Sequence, residues 1–169
     1  MKIVHYMGLM ANGSYAVVEE SNQAEKINLD EALPKEVSTN FARTVSKFGN
    51  LIVGRRTFEL FHSQMPGIEA VVISHSPLKY EGVNVVASPA EALSLLEKKG
   101  FDTALVGGGA KLICTFLSQG LVDELYINIY PFINKGASAS SENFQAGLEL
   151  IGVEKLSPNI VQLHYRVRR

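Results

Sequence analysis

Three consecutive glycines are the most distinctive chemical feature of the sequence. They follow a short apolar run at residues 103–106 and precede a helical pattern. Glycine lacks a Cβ atom, so backbone N–H groups can approach an anion closely, and a helix N-terminus favours negative charge. The pattern indicates an anion- or nucleotide-binding turn, with a plain tight turn as the alternative. It matches neither the G-x-G-x-x-G fingerprint nor a P-loop. The candidate residues are Gly107, Gly108, Gly109, Ala110, Lys111 and Leu112.

Two further polar groups follow apolar runs that read as strands. Two guanidiniums and a hydroxyl at the first suit phosphate oxygens, and hydroxyls and an imidazole at the second can also contact phosphate. Each group by itself is typical of an exposed loop. Because the carboxyl ends of parallel strands share one edge of a sheet, where ligands bind, the agreement of all three groups favours a phosphate site. The residues are Gly54, Arg55, Arg56 and Thr57 in the first group and Ser74, His75 and Ser76 in the second.

The remaining histidines and the cysteine do not form a recognisable metal or nucleophile motif. His5 lies within an apolar run, which is typical of a core or ligand-lining histidine, and His62 and His164 have no companion at metal-ligand spacing. Cys114 is the single cysteine, so we expect no disulfide framework and interpret it as a packing residue. No metal site is predicted.

Composition limits the class of protein. The chain has 169 residues, 46% of them hydrophobic, and its 16 Lys+Arg against 17 Asp+Glu give a net charge of −1. We expect one domain over residues 1–169, with no nucleic-acid partner, because the surface as a whole lacks a basic excess. No apolar run has a membrane-spanning length and no secretory signal is readable, so we expect a cytoplasmic protein without a membrane partner.

Strand and helix patterns alternate along the chain and then end in a hairpin. This order predicts an α/β fold with a mixed, mostly parallel central sheet flanked by helices and a C-terminal antiparallel hairpin around residues 157–159. Ser88, Pro89 and Glu91 together mark a helix start. Strands are predicted at residues 3–9, 51–53, 70–73, 83–86, 103–106, 123–133, 148–156 and 160–167. Helices are predicted at residues 34–48, 57–61, 89–99 and 110–119.

The segments with these motifs resemble a known family. LIVGRRTFE (51–59), VVISHS (71–76) and ALVGGGAKLICTFLSQGLVDELYINIYP (104–131) are similar to the dihydrofolate reductase-like superfamily, and within it to the riboflavin-biosynthesis reductases and their stand-alone relatives. The resemblance implies a dihydrofolate reductase-like fold, an NADPH-dependent reductase and a small-molecule substrate. It also implies a homodimer, with the strand at residues 125–130 at the subunit contact.

The same resemblance assigns roles to residues of this chain. Arg55, Arg56 and Thr57 correspond to the positions that hold the pyrophosphate and 2′-phosphate, and residues 74–76 to those that hold the adenosine ribose phosphate. Residues 107–112 match the pyrophosphate and nicotinamide loop. Ala16 corresponds to the loop that closes on the nicotinamide. The predicted substrate-binding residues are Asn12, Glu36 and Phe41.

The substrate is left open by departures from the family pattern. Riboflavin-biosynthesis reductases carry an acidic residue where this chain has Gly107, and Asn12 replaces their usual aspartate. The leading hypothesis is hydride transfer from NADPH to a small heterocyclic or ribosylamino-pyrimidine or pterin-type substrate. The alternatives are a dihydrofolate reductase proper and an NADP-binding protein without catalysis. The proton donor stays open between Glu36 and a water molecule.

Overall fold

The computed structural model describes residues 1–14, 35–62, 67–133 and 145–168. The predicted contact at Ala16 and the polar segment at residues 19–31 lie outside these ranges. Within the described part of the chain, no helix is long and apolar enough to span a membrane. Eight strands and four helices are described. In chain order they are β1 (Lys2–Met10), α1 (Lys35–Phe48), β2 (Asn50–Gly54), α2 (Arg55–Phe61), β3 (Glu69–Ile73), β4 (Asn84–Val86), α3 (Pro89–Lys98), β5 (Thr103–Val106), α4 (Ala110–Ser118), β6 (Glu124–Tyr130), β7 (Gly147–Ser157) and β8 (Ile160–Arg168).

The strands form a single sheet in the order β4-β3-β2-β5-β1-β6-β8-β7. The pairings among β1 to β6 are parallel, whereas β8 runs antiparallel to β6 and to β7. This is the dihydrofolate reductase-like mixed α/β fold, so the predicted fold class, including its C-terminal hairpin, is confirmed.

Apolar residues cover both faces of the sheet, as the nearly uninterrupted apolar runs predict. In β1 the side chains alternate: Val4 and Tyr6 join the core on the face covered by α1 and α2, and Ile3 joins the core on the face covered by α3 and α4. Helix α1 contributes Phe41 and Val45 to the first core. The two cores therefore determine which side chains lie on each face of the sheet near the carboxyl ends of its parallel strands.

Helix boundaries follow the local chemistry of the sequence. Helix α1 ends at Gly49, whose φ of 70° is easy only for glycine and whose N–H donates to the Val45 carbonyl at 2.9 Å. Ser88 accepts the Glu91 N–H at 3.3 Å at the start of α3, and the Glu91 carboxylate accepts the Ala87 N–H at 3.1 Å. This reciprocal capping explains why the start of α3 is predictable from sequence.

The prediction for the strand at residues 123–133 was too long. Strand β6 ends at Tyr130 because Pro131 follows and has no N–H to continue the ladder. The same strand lies inside the sheet, with β1 on one side and β8 on the other. Both edges of this strand are thus paired within the chain, and the expected subunit contact at residues 125–130 stays a prediction. Exposed apolar side chains also lie on β7, at Leu150 and Val153.

Candidate active site

The three predicted polar groups lie at neighbouring strand ends. Strands β3, β2 and β5 are adjacent and parallel, so Ser74, Arg55 and Gly107, which follow them, stand at one edge of the sheet. Next to β5, strand β1 continues beyond the last β5 pairing to Met10. In chain order α1 stands between β1 and β2, and α4 between β5 and β6, on opposite faces of the sheet. The adjacent strands β5 and β1 therefore form a topological switch point, the position at which ligands bind to open α/β sheets.

Backbone and hydroxyl hydrogen bonds join the glycine turn to the start of α2. The Gly107 N–H donates to the Ile52 carbonyl at 2.8 Å, and the Gly54 N–H donates to the Gly108 carbonyl at 3.4 Å. The Gly109 N–H donates to Thr57 Oγ1 at 3.1 Å. Two of the three sequence motifs are thus a single hydrogen-bonded unit.

The glycines of the turn are required for different reasons. A Cβ on Gly107 would lie 2.9 Å from Leu51 Cδ1 and 3.1 Å from Val53 Cγ1, so a side chain there requires both core residues to shift. The acidic residue that riboflavin-biosynthesis reductases carry at this position would require the same shift. A Cβ on Gly108 would make only ordinary contacts with Thr57, at 3.7 Å. Gly109 has a φ of +36°, which side chains rarely adopt.

Three exposed basic residues stand at the two helix starts of this unit, Arg55 and Arg56 in α2 and Lys111 in α4. Arg55 is exposed and forms an ion pair with Glu59, with Nε 2.8 Å from Oε1. Arg56 and Lys111 are also exposed. Helix α4 begins after Gly109 without a side-chain cap, so its first N–H groups are open to an anion. The Leu112 side chain, predicted to contact cofactor, is buried in the core, which leaves its backbone as the part at the helix start.

The Ser74–Ser76 segment forms a small self-contained turn. Ser74 Oγ donates to the Ser76 carbonyl at 2.8 Å and accepts the Ser76 N–H at 3.1 Å. His75 and Ser76 are exposed. The turn therefore presents an imidazole and a hydroxyl to solvent next to the end of β2.

The predicted substrate-binding residues lie in three separate places: the turn after β1, the first turn of α1 and the core. Phe41 is buried, with its ring centroid 5.9 Å from that of Tyr6 and 5.3 Å from that of Phe61. Asn12 is exposed in the turn after β1 and accepts a hydrogen bond from Ser14 Oγ at 2.9 Å. Glu36 lies in the first turn of α1, and its side chain is not among those that the structure describes.

His5 is a core residue, as interpreted, but only half of its hydrogen-bonding capacity is satisfied. Its Nδ1 lies 2.8 Å from the Val106 carbonyl, whereas Nε2 has no partner among the described residues. Burial lowers the pKa of His5 from 6.5 to about 4, against a smaller raising effect of the Val106 hydrogen bond. His5 therefore carries no charge at neutral pH and anchors the last residue before the glycine turn.

A buried polar network next to this edge was not anticipated from the sequence. Asn128 Nδ2 lies 2.8 Å from Tyr6 Oη and 3.3 Å from Tyr130 Oη, and the two phenol oxygens are 3.2 Å apart. Gln162 Nε2 donates to Asn128 Oδ1 at 2.9 Å. The sequence offered one signal, an asparagine in a mostly apolar strand. The hydrogen-bond partners of Asn128 could not be named from it, because they depend on how β6 pairs with β1 and β8.

Comparison with known proteins identifies the class. Residues 16–132 match the profile of the dihydrofolate reductase family. Dihydrofolate reductase type 3 of Salmonella typhimurium is 35% identical over 96 residues, which cover 56% of this chain and 56% of that protein. The match therefore spans little more than half of the curated relative.

Solved structures agree on the fold. A putative riboflavin biosynthesis protein from Shewanella sp. PV-4 has a TM-score of 0.73 and 19% identity, covering 100% of both chains. Dihydrofolate reductase from Enterococcus faecalis, complexed with NADP(H) and RAB-propyl, has a TM-score of 0.71 and 17% identity, covering 99% of this chain and 97% of that one.

The fold is therefore that of the dihydrofolate reductase-like superfamily. Because the family match spans more than half of the chain, this protein belongs to the dihydrofolate reductase family. Membership supports a reductase-type oxidoreductase function.

Proposed function

We propose that this protein is an NADPH-dependent reductase that transfers a hydride to a small heterocyclic or ribosylamino-pyrimidine or pterin-type substrate. The observation that carries the proposal is the junction between Thr57 and Gly109, which joins an arginine-bearing strand end to an uncapped helix start. Family membership supports the same class of reaction.

The residues present fit the phosphates of a dinucleotide. The bare α-carbon of Gly108 and the open N–H groups of α4 suit the close approach of a pyrophosphate. Arg55, Arg56 and Lys111 supply positive charge, and a guanidinium fork matches the oxygens of a 2′-phosphate. In the proposal, Ser74, His75 and Ser76 contact the adenosine ribose phosphate from the end of β3.

The nicotinamide would supply the hydride when bound, and the chain's own residues position the reactants. Thr57 holds the glycine turn against α2, which keeps the two phosphate-binding segments at a fixed separation. In the proposal, Phe41, which packs against Tyr6 of β1, provides an apolar wall next to the bound nicotinamide. Such a wall would exclude water from the reacting atoms.

The test is NADPH consumption by the purified protein with a panel of dihydropterins, iminopyrimidines and ribosylaminopyrimidines, followed as loss of NADPH absorbance. We expect turnover with at least one heterocycle and much slower turnover with NADH. If NADPH binds tightly but no member of the panel is reduced, the result favours the alternative hypothesis of an NADP-binding protein without catalysis. If NADPH does not bind, both the reductase proposal and this alternative are wrong.

Dihydrofolate reductase proper is the second candidate function. It is favoured by the 35% identity to a relative that carries that name. An assay with dihydrofolate separates the two candidates, because turnover with dihydrofolate comparable to the best panel substrate supports this candidate. An absence of turnover with dihydrofolate excludes it and leaves the broader proposal in place.

A further inference from the structure

The peptide that opens the glycine turn is held from both sides. Val106 is the last residue of β5, and it pairs with Ile52 of β2 on one side and with His5 of β1 on the other. The Gly107 N–H of the Val106–Gly107 peptide donates to the Ile52 carbonyl at 2.8 Å. The Val106 carbonyl of the same peptide lies 2.8 Å from Nδ1 of His5. Both polar groups of this peptide are therefore bound at the end of β5.

The direction of the hydrogen bond between His5 and Val106 is fixed by its acceptor. A carbonyl oxygen has no hydrogen to give, so Nδ1 is the donor and carries the ring proton. Burial lowers the pKa of His5 to about 4, so at physiological pH the ring is neutral and holds no second proton. Nε2 is therefore an unprotonated acceptor, and it has no partner among the described residues.

A histidine at this position opposes stability. His5 is 0% exposed, and a buried acceptor without a partner costs free energy that a leucine or a valine would not incur. The polar interaction that the imidazole adds is the donation to the Val106 carbonyl. Local choices that oppose stability are expected at functional sites, and this one acts on the residue before the glycine turn.

The contacts of the turn leave one of its backbone donors free. The Gly108 carbonyl accepts from the Gly54 N–H, and the Gly109 N–H donates to Thr57. The Gly108 N–H has no acceptor in the part of the chain that the structure describes. Because a glycine backbone rotates more freely than any other, the direction of this N–H depends on how the turn is held at its start and at its end.

We propose that His5 is a positioning residue of the cofactor site, whose hydrogen bond to the Val106 carbonyl orients the first peptide of the glycine turn for binding phosphate. The inference rests on the proposed function and adds to it a residue that does not touch the ligand. His5 holds the start of the turn, and Thr57 holds its end. A turn held in this way loses less conformational entropy when an anion binds, so the anion binds more tightly.

The experiment compares variants of His5 that remove the donor with one that keeps it. His5→Leu and His5→Phe remove it with a branched side chain and with a ring, and His5→Asn keeps an amide donor close to the position of Nδ1. NADPH is titrated by calorimetry into each folded protein. We expect both donor-free variants to bind NADPH about fivefold or more weakly, because binding must then order the turn. His5→Asn should stay within about twofold of wild type.

Asn50→Leu is the matched control, because it removes side-chain hydrogen bonds from the same strand nearer its start. The Asn50 amide is buried, donates to the Thr103 carbonyl at 2.9 Å and accepts the Leu105 N–H at 3.0 Å. We expect this variant to lose stability as His5→Leu does, but to keep its NADPH affinity within about twofold.

Amide hydrogen exchange followed by NMR gives a second readout that needs no cofactor. In both donor-free variants we expect the Gly107 and Gly109 amides to exchange about tenfold faster or more than in wild type, because the turn opens more often. In Asn50→Leu the Leu105 amide should show the larger change, because it loses its side-chain acceptor.

Four outcomes would overturn the proposal while wild type binds NADPH. They are unchanged affinity in both donor-free variants, unchanged exchange of the turn amides, an equal loss of affinity in Asn50→Leu, and an equal loss in His5→Asn. The third would assign the effect to general loosening of β5, and the fourth to packing around the ring. A wild-type protein that does not bind NADPH contradicts the proposed function, and this inference with it, before any variant is compared.

Discussion

At the scale of single residues, the Thr57 hydroxyl connects the two segments proposed to hold phosphate. We expect Thr57→Val to leave the Gly109 N–H without an acceptor, which costs about 1–3 kcal/mol of unfolding free energy and weakens NADPH binding. Urea unfolding and NADPH titration measure the two effects. Thr57→Ser keeps the oxygen and should stay close to wild type. Equal losses in the valine and serine variants would mean that the hydroxyl does not connect the segments.

His5 gives the protein a pH-dependent stability. Its pKa is about 4 in the folded chain and 6.5 is its ordinary value, so protons bind the unfolded state more readily. The contribution of His5 to the unfolding free energy is therefore fully present above pH 6.5. It decreases by on the order of 3 kcal/mol as the pH falls towards 4. Urea unfolding at a series of pH values measures this slope.

The control for that series is His5→Asn, whose amide nitrogen stands close to the position of Nδ1 and so keeps a donor for the Val106 carbonyl but does not titrate. We expect the unfolding free energy of this variant to fall less than that of wild type between pH 6.5 and 4.5. Parallel curves for the two proteins would assign the acid sensitivity to other groups.

At the scale of elements, a substitution in the glycine turn is expected to affect cofactor binding more than stability. A methyl group on Gly108 meets only Thr57 at ordinary contact distance, so Gly108→Ala should change the unfolding free energy by less than about 1 kcal/mol. The same methyl group stands where the proposed pyrophosphate approaches, so NADPH affinity should fall about tenfold or more. Calorimetric titration measures the affinity, with Ser118→Ala at the far end of α4 as the control. Unchanged affinity would remove the turn from the cofactor site.

Elements with local signals were predictable and those set by distant partners were less so. The Ser88 cap and Gly49 fixed the ends of α3 and α1 because both act within one helical turn. The Tyr6 network required the pairing of β1, β6 and β8, which no sequence pattern specifies. Gly107 was interpreted through anion binding, whereas its packing against Leu51 depends on β5 lying beside β2.

At the scale of the whole molecule, the sheet order brings the site together. Parallel pairing of the early strands was predictable from the alternation of strands and helices, but the insertion of β5 between β2 and β1 was not. Buried Asn50 reinforces that insertion, because its amide donates to the Thr103 carbonyl at 2.9 Å and accepts the Leu105 N–H at 3.0 Å. The convergence of the motifs could be expected, and their hydrogen-bonded contact could not.

The prediction for dimer formation concerns the edge of the same sheet that lies beyond β8. Among the strands that the structure describes, β7 pairs only with β8, and it exposes Leu150 at 53% and Val153 at 62%. We expect light scattering to give the mass of two 18.5 kDa chains, and Leu150→Glu to lower it to one. Lys155→Glu, an exposed change on the same strand, should leave the dimer intact. A monomeric wild-type protein would contradict this expectation.

The strand-end arginines are proposed to recognise the 2′-phosphate of NADPH, and this recognition is the central feature of the proposed site. Calorimetric titration of wild type, Arg55→Ala and Arg56→Ala with NADPH and with NADH measures it most directly. Because the two cofactors differ only in that phosphate, we predict that at least one variant loses about tenfold or more of its NADPH affinity while NADH affinity changes by about twofold or less. Equal losses for both cofactors in each variant, or no loss for either, would contradict the account.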